Sequence, residues 1–375
     1  MEYKKLGDIA TYINGFAFKP EDRGDEGLPI IRIQDLTGNS YNLGFYNGDY
    51  PERIEINDGD VLISWSASLG VYVWDRGKAL LNQHIFKVAF DKLDVDKSFF
   101  VYAVRRKLDE MASKTHGATM KHIVKKDFDA TLIPYPPLEE QAEIALKLDK
   151  VSRMIEARKE ELGKLDELIK ARFVELFGDP SRNEKEWNIK DLVDVTTIVT
   201  YGLTVRPEYI DDGIDLVSAR ELHKGYVAYE EAPKISSEDF ENLSDKGKPQ
   251  KNDILFSKTG SIGHCALVED EKTFAITQNA ARIGLDIEKV NPVWLLHYLR
   301  MDYIQDWCKN HAKGNAVKDF QLQDMKIIPL FDCPLELQDS FTEFVRQVDK
   351  SKVAVQKALD EAQLLFDSLM QEYFS

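Results

Sequence analysis

The chain repeats itself at a spacing near 190 residues, and this duplication constrains its fold more than any other feature. The spacing drifts by only 11 residues from the first matched pair to the last, as expected if insertions accumulate in loops. The matched segments keep the same order and are Leu6–Asp8 with Leu192–Asp194, Ile31–Leu36 with Val217–Leu222, Gly59–Ser64 with Asn252–Ser257, Gln83 with Gln278, Gly117 and Lys121 with Gly314 and Lys318, and Pro137–Gln141 with Pro334–Gln338. The sequence therefore predicts two copies of one unit, each a globular part followed by a long helix.

Short β-branched and aromatic runs bounded by Gly and Asp predict the strands of the globular part. In the first copy these strands are Pro29–Ile33, which overlaps the extended run Ile31–Leu36, and Asp60–Trp65, Val71–Trp74 and Ile85–Phe90. A helix is expected over Ser98–Ser113. Its counterpart begins at Asn291–Pro292, with Trp294, Tyr298 and Met301 on its apolar face.

Each copy ends in a segment with the heptad pattern of a helix that packs along a partner helix. The first runs from Leu138 to Phe177 without proline and stops at Gly178-Asp179-Pro180. The predicted seam residues are Leu148, Ile155, Leu162, Ile169 and Leu176 in the first helix, and Phe341, Val348, Val355, Leu359 and Phe366 in the second.

The two helices are expected to pair within one chain, since the repeat supplies a matched partner; a homodimeric coiled coil is the alternative. An antiparallel pair of about 40 residues each would be on the order of 60 Å long at 1.5 Å per residue, with one globular part at each end. The predicted fold class is α+β, with two similar α/β domains joined by an antiparallel coiled coil. Its segments are 1–137, 138–180, 181–334 and 335–375.

Composition and charge narrow the possible functions. No apolar run approaches the ~18 residues of a membrane span, the N-terminus lacks a secretory signal, and three scattered cysteines favour reduced thiols. We therefore expect a cytoplasmic protein without membrane contact. The net charge of −16 does not exclude DNA binding if positive charge is clustered locally, as it is over Arg105–Asp127 and around Lys246–Lys258.

Catalytic motifs are not evident. Asn291–Trp294 lacks the second proline of an adenine-methyltransferase tetrad and is better explained as a helix cap. Lys258–Gly263 resembles a phosphate-binding loop only in composition, and His264-Cys265 has no second ligand pair for a metal. We predict no catalytic residue and no metal site in this chain.

Over its whole length the chain resembles the specificity subunits of type I restriction-modification systems. The resemblance rests on the duplication, on Leu62–Gly70 with Leu255–Gly263, on the Pro137 and Pro334 motifs, and on the Leu176–Pro180 stretch. It implies two DNA target-recognition domains, two methyltransferase subunits as partners, and ATP-driven restriction (translocase) subunits for cleavage. AdoMet, ATP and Mg would then be bound by those partners and no cofactor by this chain. The central helix lacks the tandem short repeat that sets spacer length in some relatives.

Two domains on a fixed spacer would read an asymmetric, bipartite target in double-stranded DNA. Contacts are expected in duplicated loops whose small residues let DNA approach the backbone. The candidates are Asn14, Ser64, Ser66, Ser68, Asn82, Gln83, His84, Lys114, Thr115, His116, Thr119, Lys121, Tyr201, Lys258, Thr259, Ser261, Gln278, Asn279, Lys313, Asn315 and Lys318. Two alternatives stay open: a self-contained DNA methyltransferase or nuclease, and a coiled-coil scaffold without a DNA role.

Overall fold

A computed structural model describes residues 2–38, 42–114, 123–205, 207–314 and 317–375. The chain divides into two compact units. The first unit comprises Met1–Lys159 and Gln356–Ser375, and the second comprises Glu160–Val355. Each long helix therefore contributes one half to each unit. The division into four segments that end at the helix ends stays a prediction.

The described residues of the first unit form ten strands and five α-helices. The strands are β1 (Tyr3–Lys5), β2 (Thr11–Asn14), β3 (Leu28–Ile31), β4 (Phe45–Tyr46), β5 (Glu55–Ile56), β6 (Val61–Ser64), β7 (Gly70–Val73), β8 (Ala79–Leu81), β9 (Ile85–Ala89) and β10 (Leu132–Pro134). The helices are α1 (Leu6–Ile9), α2 (Ile33–Leu36), α3 (Lys97–Lys114), α4 (Lys125–Asp129) and the long α5 (Leu138–Phe177). The strands and helix predicted here are confirmed within one or two residues, except at α2.

These strands form two four-stranded sheets and one two-stranded sheet. The orders are β2-β9-β6-β7, β4-β3-β8-β5 and β1-β10. All pairs are antiparallel except β3 with β8, which run parallel with Ile31 opposite Leu81. Because every residue of β6 and β8 is buried, these strands lie in the core and hold the loops at their ends in place.

The second unit repeats this plan. Its strands are β11 (Ile189–Asp191), β12 (Thr196–Tyr201), β13 (Ile214–Val217), β14 (Lys234–Ile235), β15 (Ile254–Ser257), β16 (Cys265–Leu267), β17 (Ala275–Ile276), β18 (Ala280–Leu285) and β19 (Pro329–Phe331). Its helices are α6 (Ser237–Glu241), α7 (Pro292–Leu299), α8 (Asp302–His311), α9 (Leu322–Lys326) and the long α10 (Leu335–Phe374). The sheet orders are β12-β18-β15-β16, β14-β13-β17 and β11-β19, and β13 runs parallel to β17. The predicted duplication of an α+β unit is confirmed.

The extended conformation predicted for Ile31–Leu36 is wrong in its second half, and the matched segment Val217–Leu222 also turns at this place. Ile33–Leu36 is helical and Ala219–Leu222 is a 3-10 helix. A buried carboxylate causes each turn, because it accepts a hydrogen bond from the backbone N–H three residues earlier. Arg32 N donates to Asp35 Oδ2 at 2.8 Å, and Ser218 N donates to Glu221 Oε2 at 2.7 Å.

The helix predicted from Asn291 is two helices. Asn291 is its N-cap, as expected, but α7 ends at Leu299 and Met301 precedes α8 in an extended conformation. The Gln305 amide donates to the Leu299 carbonyl at 2.7 Å, which satisfies an acceptor left free by the break. Met301 therefore lies outside the apolar face of α7 to which the sequence assigned it.

The two long helices pack on each other within this chain, and they run antiparallel. In the first unit the beginning of α5 meets the end of α10, where Val151, Ile155 and Ala362 form a buried cluster. In the second unit the end of α5 meets the beginning of α10, where Phe173 and Phe177 contact Phe341. The predicted intrachain pairing is confirmed.

Most predicted seam positions are removed from solvent. The buried ones are Leu148, Ile155, Ile169, Phe341, Val348 and Val355, and the half-buried ones are Leu162, Leu176, Leu359 and Phe366. Lys352 interrupts the apolar row, and its ammonium lies 2.5 Å from Asp166 of the facing helix. The polar position is therefore filled by an interhelical ion pair.

A buried glutamine fixes the beginning of each long helix. Gln141 Oε1 accepts from Asp96 N at 3.0 Å, and its amide donates to the Pro136 carbonyl at 2.8 Å. Gln338 makes the same two bonds, with Asn291 N at 2.9 Å and the Cys333 carbonyl at 3.0 Å. The duplicated Pro-Leu-Glu-x-Gln motif thus joins each long helix to its globular part.

Candidate nucleic-acid interface

Three of the predicted loops of the first unit lie together at one end of the sheet β2-β9-β6-β7. Asn14 is exposed at the end of β2, and the next residue, Gly15, donates its N–H to Ile85 O at 3.2 Å. A side chain at Gly15 would collide with the carbonyl of Asn82, so only glycine permits this approach. Trp65 N donates to His84 O at 3.4 Å, which brings the loop after β6 beside the Asn82–His84 turn.

Within these loops the candidates differ in exposure. Gln83, His84 and Ser68 are exposed and Asn82 is half-buried, so their side chains can reach a ligand. Ser66 is buried. Its position beside Ala67, whose φ of 60° is rare for a residue with a side chain, indicates a tightly held turn.

The prediction that Ser64 contacts DNA is corrected. Its side chain is fully buried, and its hydroxyl donates to the Ser68 carbonyl at 2.5 Å. Ser257 of the second unit is also buried and donates to Ser261 O at 2.6 Å. The duplicated serine therefore closes a loop and shapes it from inside.

One predicted cluster of the first unit lies largely outside the described residues. Thr115, His116, Thr119 and Lys121 belong to it, and Asn315 of the second unit also lies outside the described residues. Lys114 ends α3, and its side chain is also outside the described part. The described chain resumes at Ile123, which donates to Trp65 O at 3.0 Å and so begins again beside the loop after β6.

In the second unit the structure brings several candidates into one cluster around Asp319. Lys258 lies 2.5 Å from Asp319 Oδ1, and the Thr259 hydroxyl donates to the same oxygen at 2.5 Å. Burial opposes ionisation of Asp319, but the hydrogen bonds from Lys258 and Thr259 outweigh it and lower the pKa of this carboxyl. The carboxylate therefore neutralises Lys258, which is buried and lies 5.8 Å from the Tyr201 ring. This geometry does not support the expected contact of Lys258 with DNA.

The other cations of this cluster are exposed. Lys318 and Lys313 both lie on the surface, and Lys313 pairs with Asp324 at 3.4 Å. Gly260 N donates to Lys318 O at 2.9 Å, and Lys258 N donates to Asn279 O at 3.0 Å. These backbone bonds hold the Lys258–Ser261 loop between the Lys313–Lys318 segment and the Gln278–Asn279 turn. Ser261 and Gln278 are exposed, Thr259 and Asn279 are half-buried, and the exposed Tyr201 lies at the edge of the group.

Several basic residues of the charge clusters expected from the sequence are paired with acids. Arg106 and Lys107 share Glu110 at 3.4 and 3.1 Å. In the second unit Lys251 pairs with Glu271 at 3.7 Å. Local density of basic residues along the chain therefore overstates the positive charge available to a phosphate.

Two polar residues that the sequence interpretation missed line clefts beside the predicted loops. Gln34 on α2 borders a cleft of about 260 Å³ together with Asn82, Gln83 and His84. Arg220 on the 3-10 helix Ala219–Leu222 borders a cleft of about 830 Å³ with Thr259 and Ser261. The signal was present, because Gln34 and Arg220 occupy the same place in the matched segments Ile31–Leu36 and Val217–Leu222.

The segments weighed as catalytic motifs have structural roles. Asn291 Oδ1 accepts from Val293 N at 2.9 Å and from Trp294 N at 3.2 Å, which is the geometry of a helix cap. The Lys258–Gly263 loop joins the antiparallel strands β15 and β16, whereas a phosphate-binding loop leads from a strand into a helix. In the described ranges there is no group of three or more His, Cys, Asp or Glu arranged to hold a metal ion, and no helix long and apolar enough to cross a membrane.

Comparisons with known proteins agree with this geometry. The family model described as "Type I restriction modification DNA specificity domain" matches residues 1–167 and 184–362. The chain is 26% identical over 397 residues to the type I restriction enzyme EcoBI specificity subunit of Escherichia coli, covering 98% of this chain and 83% of that protein. The MjaVIII specificity subunit of Methanocaldococcus jannaschii is 22% identical over 327 residues, covering 81% and 75%.

A solved structure shares the fold. The S subunit of the type I restriction-modification system from M. genitalium superimposes with a TM-score of 0.57 at 14% sequence identity, covering all of this chain and 96% of that chain.

Proposed function

Because the chain belongs to the family of type I restriction-modification DNA specificity domains, we propose that it is the DNA-recognition subunit of such a system. It recognises a specific sequence in double-stranded DNA for the subunits that act on that DNA. The single observation that carries the proposal is that both matched regions of the family model coincide with the two copies of the duplicated fold. Membership of this family favours the recognition role over a self-contained enzyme or a scaffold.

The duplicated loops are the proposed reading surfaces. In each unit the described parts of these loops lie at the ends of buried strands, which hold them rigidly, and exposed polar side chains such as Gln83 and Gln278 occur at matched places. Polar side chains on a rigid frame suit the reading of base edges, while exposed lysines such as Lys318 suit phosphate contacts. Since the two sets of loops differ in sequence, the target consists of two different half-sites.

The partners and cofactors follow from the same proposal. Two methyltransferase subunits and the restriction (translocase) subunits join this chain on DNA, and AdoMet, ATP and Mg are bound by those subunits. This chain acts as a recognition subunit without catalytic residues. With a net charge of −16, the isolated chain has weak affinity for DNA, and the assembled complex binds tightly.

Co-expression with the cognate methyltransferase in a host without DNA methylation tests the proposal. Genome-wide mapping of modified adenines should give one asymmetric motif with two specified parts and an unspecified gap. The control is the methyltransferase without this chain, which should leave the motif unmodified. Modification that is independent of this chain, or methylation by this chain alone with AdoMet, would contradict the proposal.

A further inference from the structure

One surface position is equivalent in the two units but carries different base-reading chemistry. In the first unit β3 leads into α2, and Gln34 is the second residue of that helix. In the second unit β13 leads into the 3-10 helix Ala219–Leu222, and Arg220 is its second residue. The two positions are separated by the same 186 residues as the segments around them.

The surroundings of this position are built in the same way in both units. The next residue is a buried acid, Asp35 or Glu221, that caps the turn through its carboxylate. The strand before the turn, β3 or β13, runs parallel to a buried strand, β8 or β17. The residue that follows β8 or β17 donates its backbone N–H to the last residue of β3 or β13: Asn82 N to Ile31 O at 3.1 Å, and Thr277 N to Val217 O at 2.9 Å. The position is therefore rigid at its backbone.

The exposure of the two side chains, and their lack of partners within the described chain, indicate that they bind a ligand outside the chain. Gln34 and Arg220 are exposed, and within the described part of the protein neither side chain takes part in an ion pair or a hydrogen bond. The backbone at each place is engaged, since Arg220 N donates to Ser218 Oγ at 3.2 Å and Gln34 O accepts from Thr37 Oγ1 at 3.3 Å.

Each side chain also borders a cleft that includes residues of the proposed reading loops. Gln34 shares its cleft with Gln83 and His84, and Arg220 shares its cleft with Thr259 and Ser261. The chemistry of the two residues differs in a way that matters for DNA. Arginine makes two hydrogen bonds to O6 and N7 of guanine, and glutamine makes two to N6 and N7 of adenine.

We propose that Gln34 and Arg220 are specificity-determining residues that read one base each in the major groove, an adenine in one half-site and a guanine in the other. This inference rests on the proposed function. It adds a cause for the asymmetry of the target, because the same rigid position presents a different pattern of donors and acceptors in each unit.

Exchange of the two side chains tests the inference. Arg220→Gln and Gln34→Arg are each co-expressed with the cognate methyltransferase, and modified adenines are mapped as for the natural chain. Arg220→Gln should reduce the preference for guanine at one position of one half-site by roughly 5- to 150-fold and leave the other half-site unchanged. Gln34→Arg should change one adenine position of the other half-site. Arg220→Lys should retain the guanine, because lysine also bonds to O6 and N7.

Matched substitutions at exposed residues away from the clefts serve as controls. Arg182→Gln in the second unit and Gln363→Arg in the first should leave the motif and its occupancy unchanged. A lower occupancy of every site with an unchanged motif would show a phosphate contact and overturn the inference while the proposed function stands. An unchanged motif at unchanged occupancy would overturn it in the same way. If the natural chain directs no bipartite methylation, the proposed function and this inference fail together.

Discussion

Gln141 lies where the long helix α5 begins, and its amide joins that helix to the globular part of the first unit. Replacement by leucine keeps the approximate volume but removes both hydrogen bonds, leaving Asp96 N and Pro136 O without these partners. Gln141 is fully buried, so water cannot take its place without rearrangement. A buried group deprived of its partner costs about 1–3 kcal/mol. Asp96 is only half-buried and recovers part of its loss, so we expect the free energy of unfolding to fall by about 2–4 kcal/mol in total.

Urea unfolding followed by far-UV circular dichroism and by tryptophan fluorescence measures this loss. The matched control is Gln363→Leu, an exposed glutamine of α10 whose only described bond is to Asp367 at 3.0 Å on the same helix. Such a surface pair contributes about 0.2–0.5 kcal/mol. A loss for Gln141→Leu that is no larger than the loss for Gln363→Leu would refute the reasoning that the buried amide anchors the helix.

Three further predictions concern the second unit and the helices. Phe173→Ala should lower the free energy of unfolding by about 3–5 kcal/mol, because the ring is buried against Trp294. A change in urea titration that is no larger than the change for an exposed phenylalanine replaced by alanine would contradict this. Burial, with nearby Arg300 and Lys352, lowers the pKa of His297 from 6.5 to about 3. As the pH falls, His297 binds a proton in the unfolded chain before it does so in the folded chain. The free energy of unfolding should therefore decrease from pH 6.5 towards pH 3, by at most about 1.4 kcal/mol per pH unit. His297→Phe should flatten this slope in urea titrations at each pH. Insertion of one heptad into both long helices should lengthen the gap of the methylated motif by roughly three base pairs, and an unchanged gap would contradict the role of the helices as a spacer.

The long helices could be predicted to the residue because every signal for them is local. Leu138–Phe177 contains no proline and keeps its apolar residues at heptad spacing, and Gly178 with a φ of 82° ends it as a glycine after a helix does. The pairing of the two helices within one chain followed from the duplication, which supplies a matched partner. By contrast, the turn at Ile33–Leu36 depends on the burial of Asp35, which the β-branched run before it does not reveal.

The sequence predicted which loops form the candidate site but not which of their side chains are buried or bonded within the protein. Lys258 was predicted to contact DNA, but Asp319, 61 residues further along the chain, lies beside its ammonium and neutralises it. Ser64 was chosen because small polar residues suit a DNA-facing loop, yet its hydroxyl points inward to Ser68 O. In both cases tertiary packing determines which group the side chain bonds to, and this bond prevents the side chain from contacting DNA.

The internal repeat separates the positions that build the fold from those that give each unit its own target. At several positions where the units agree, such as Gln141 with Gln338 and Ser64 with Ser257, the shared side chain is buried and makes equivalent hydrogen bonds in both copies. Such positions cannot change without leaving a buried group unpaired, so both copies retain them. Where the units differ on the same rigid backbone, as with Gln34 and Arg220, the side chain is exposed and free to vary at little cost to folding. A duplicated recognition fold can therefore acquire a new half-site by changing exposed residues in one copy while the buried bonds keep both copies in the same shape.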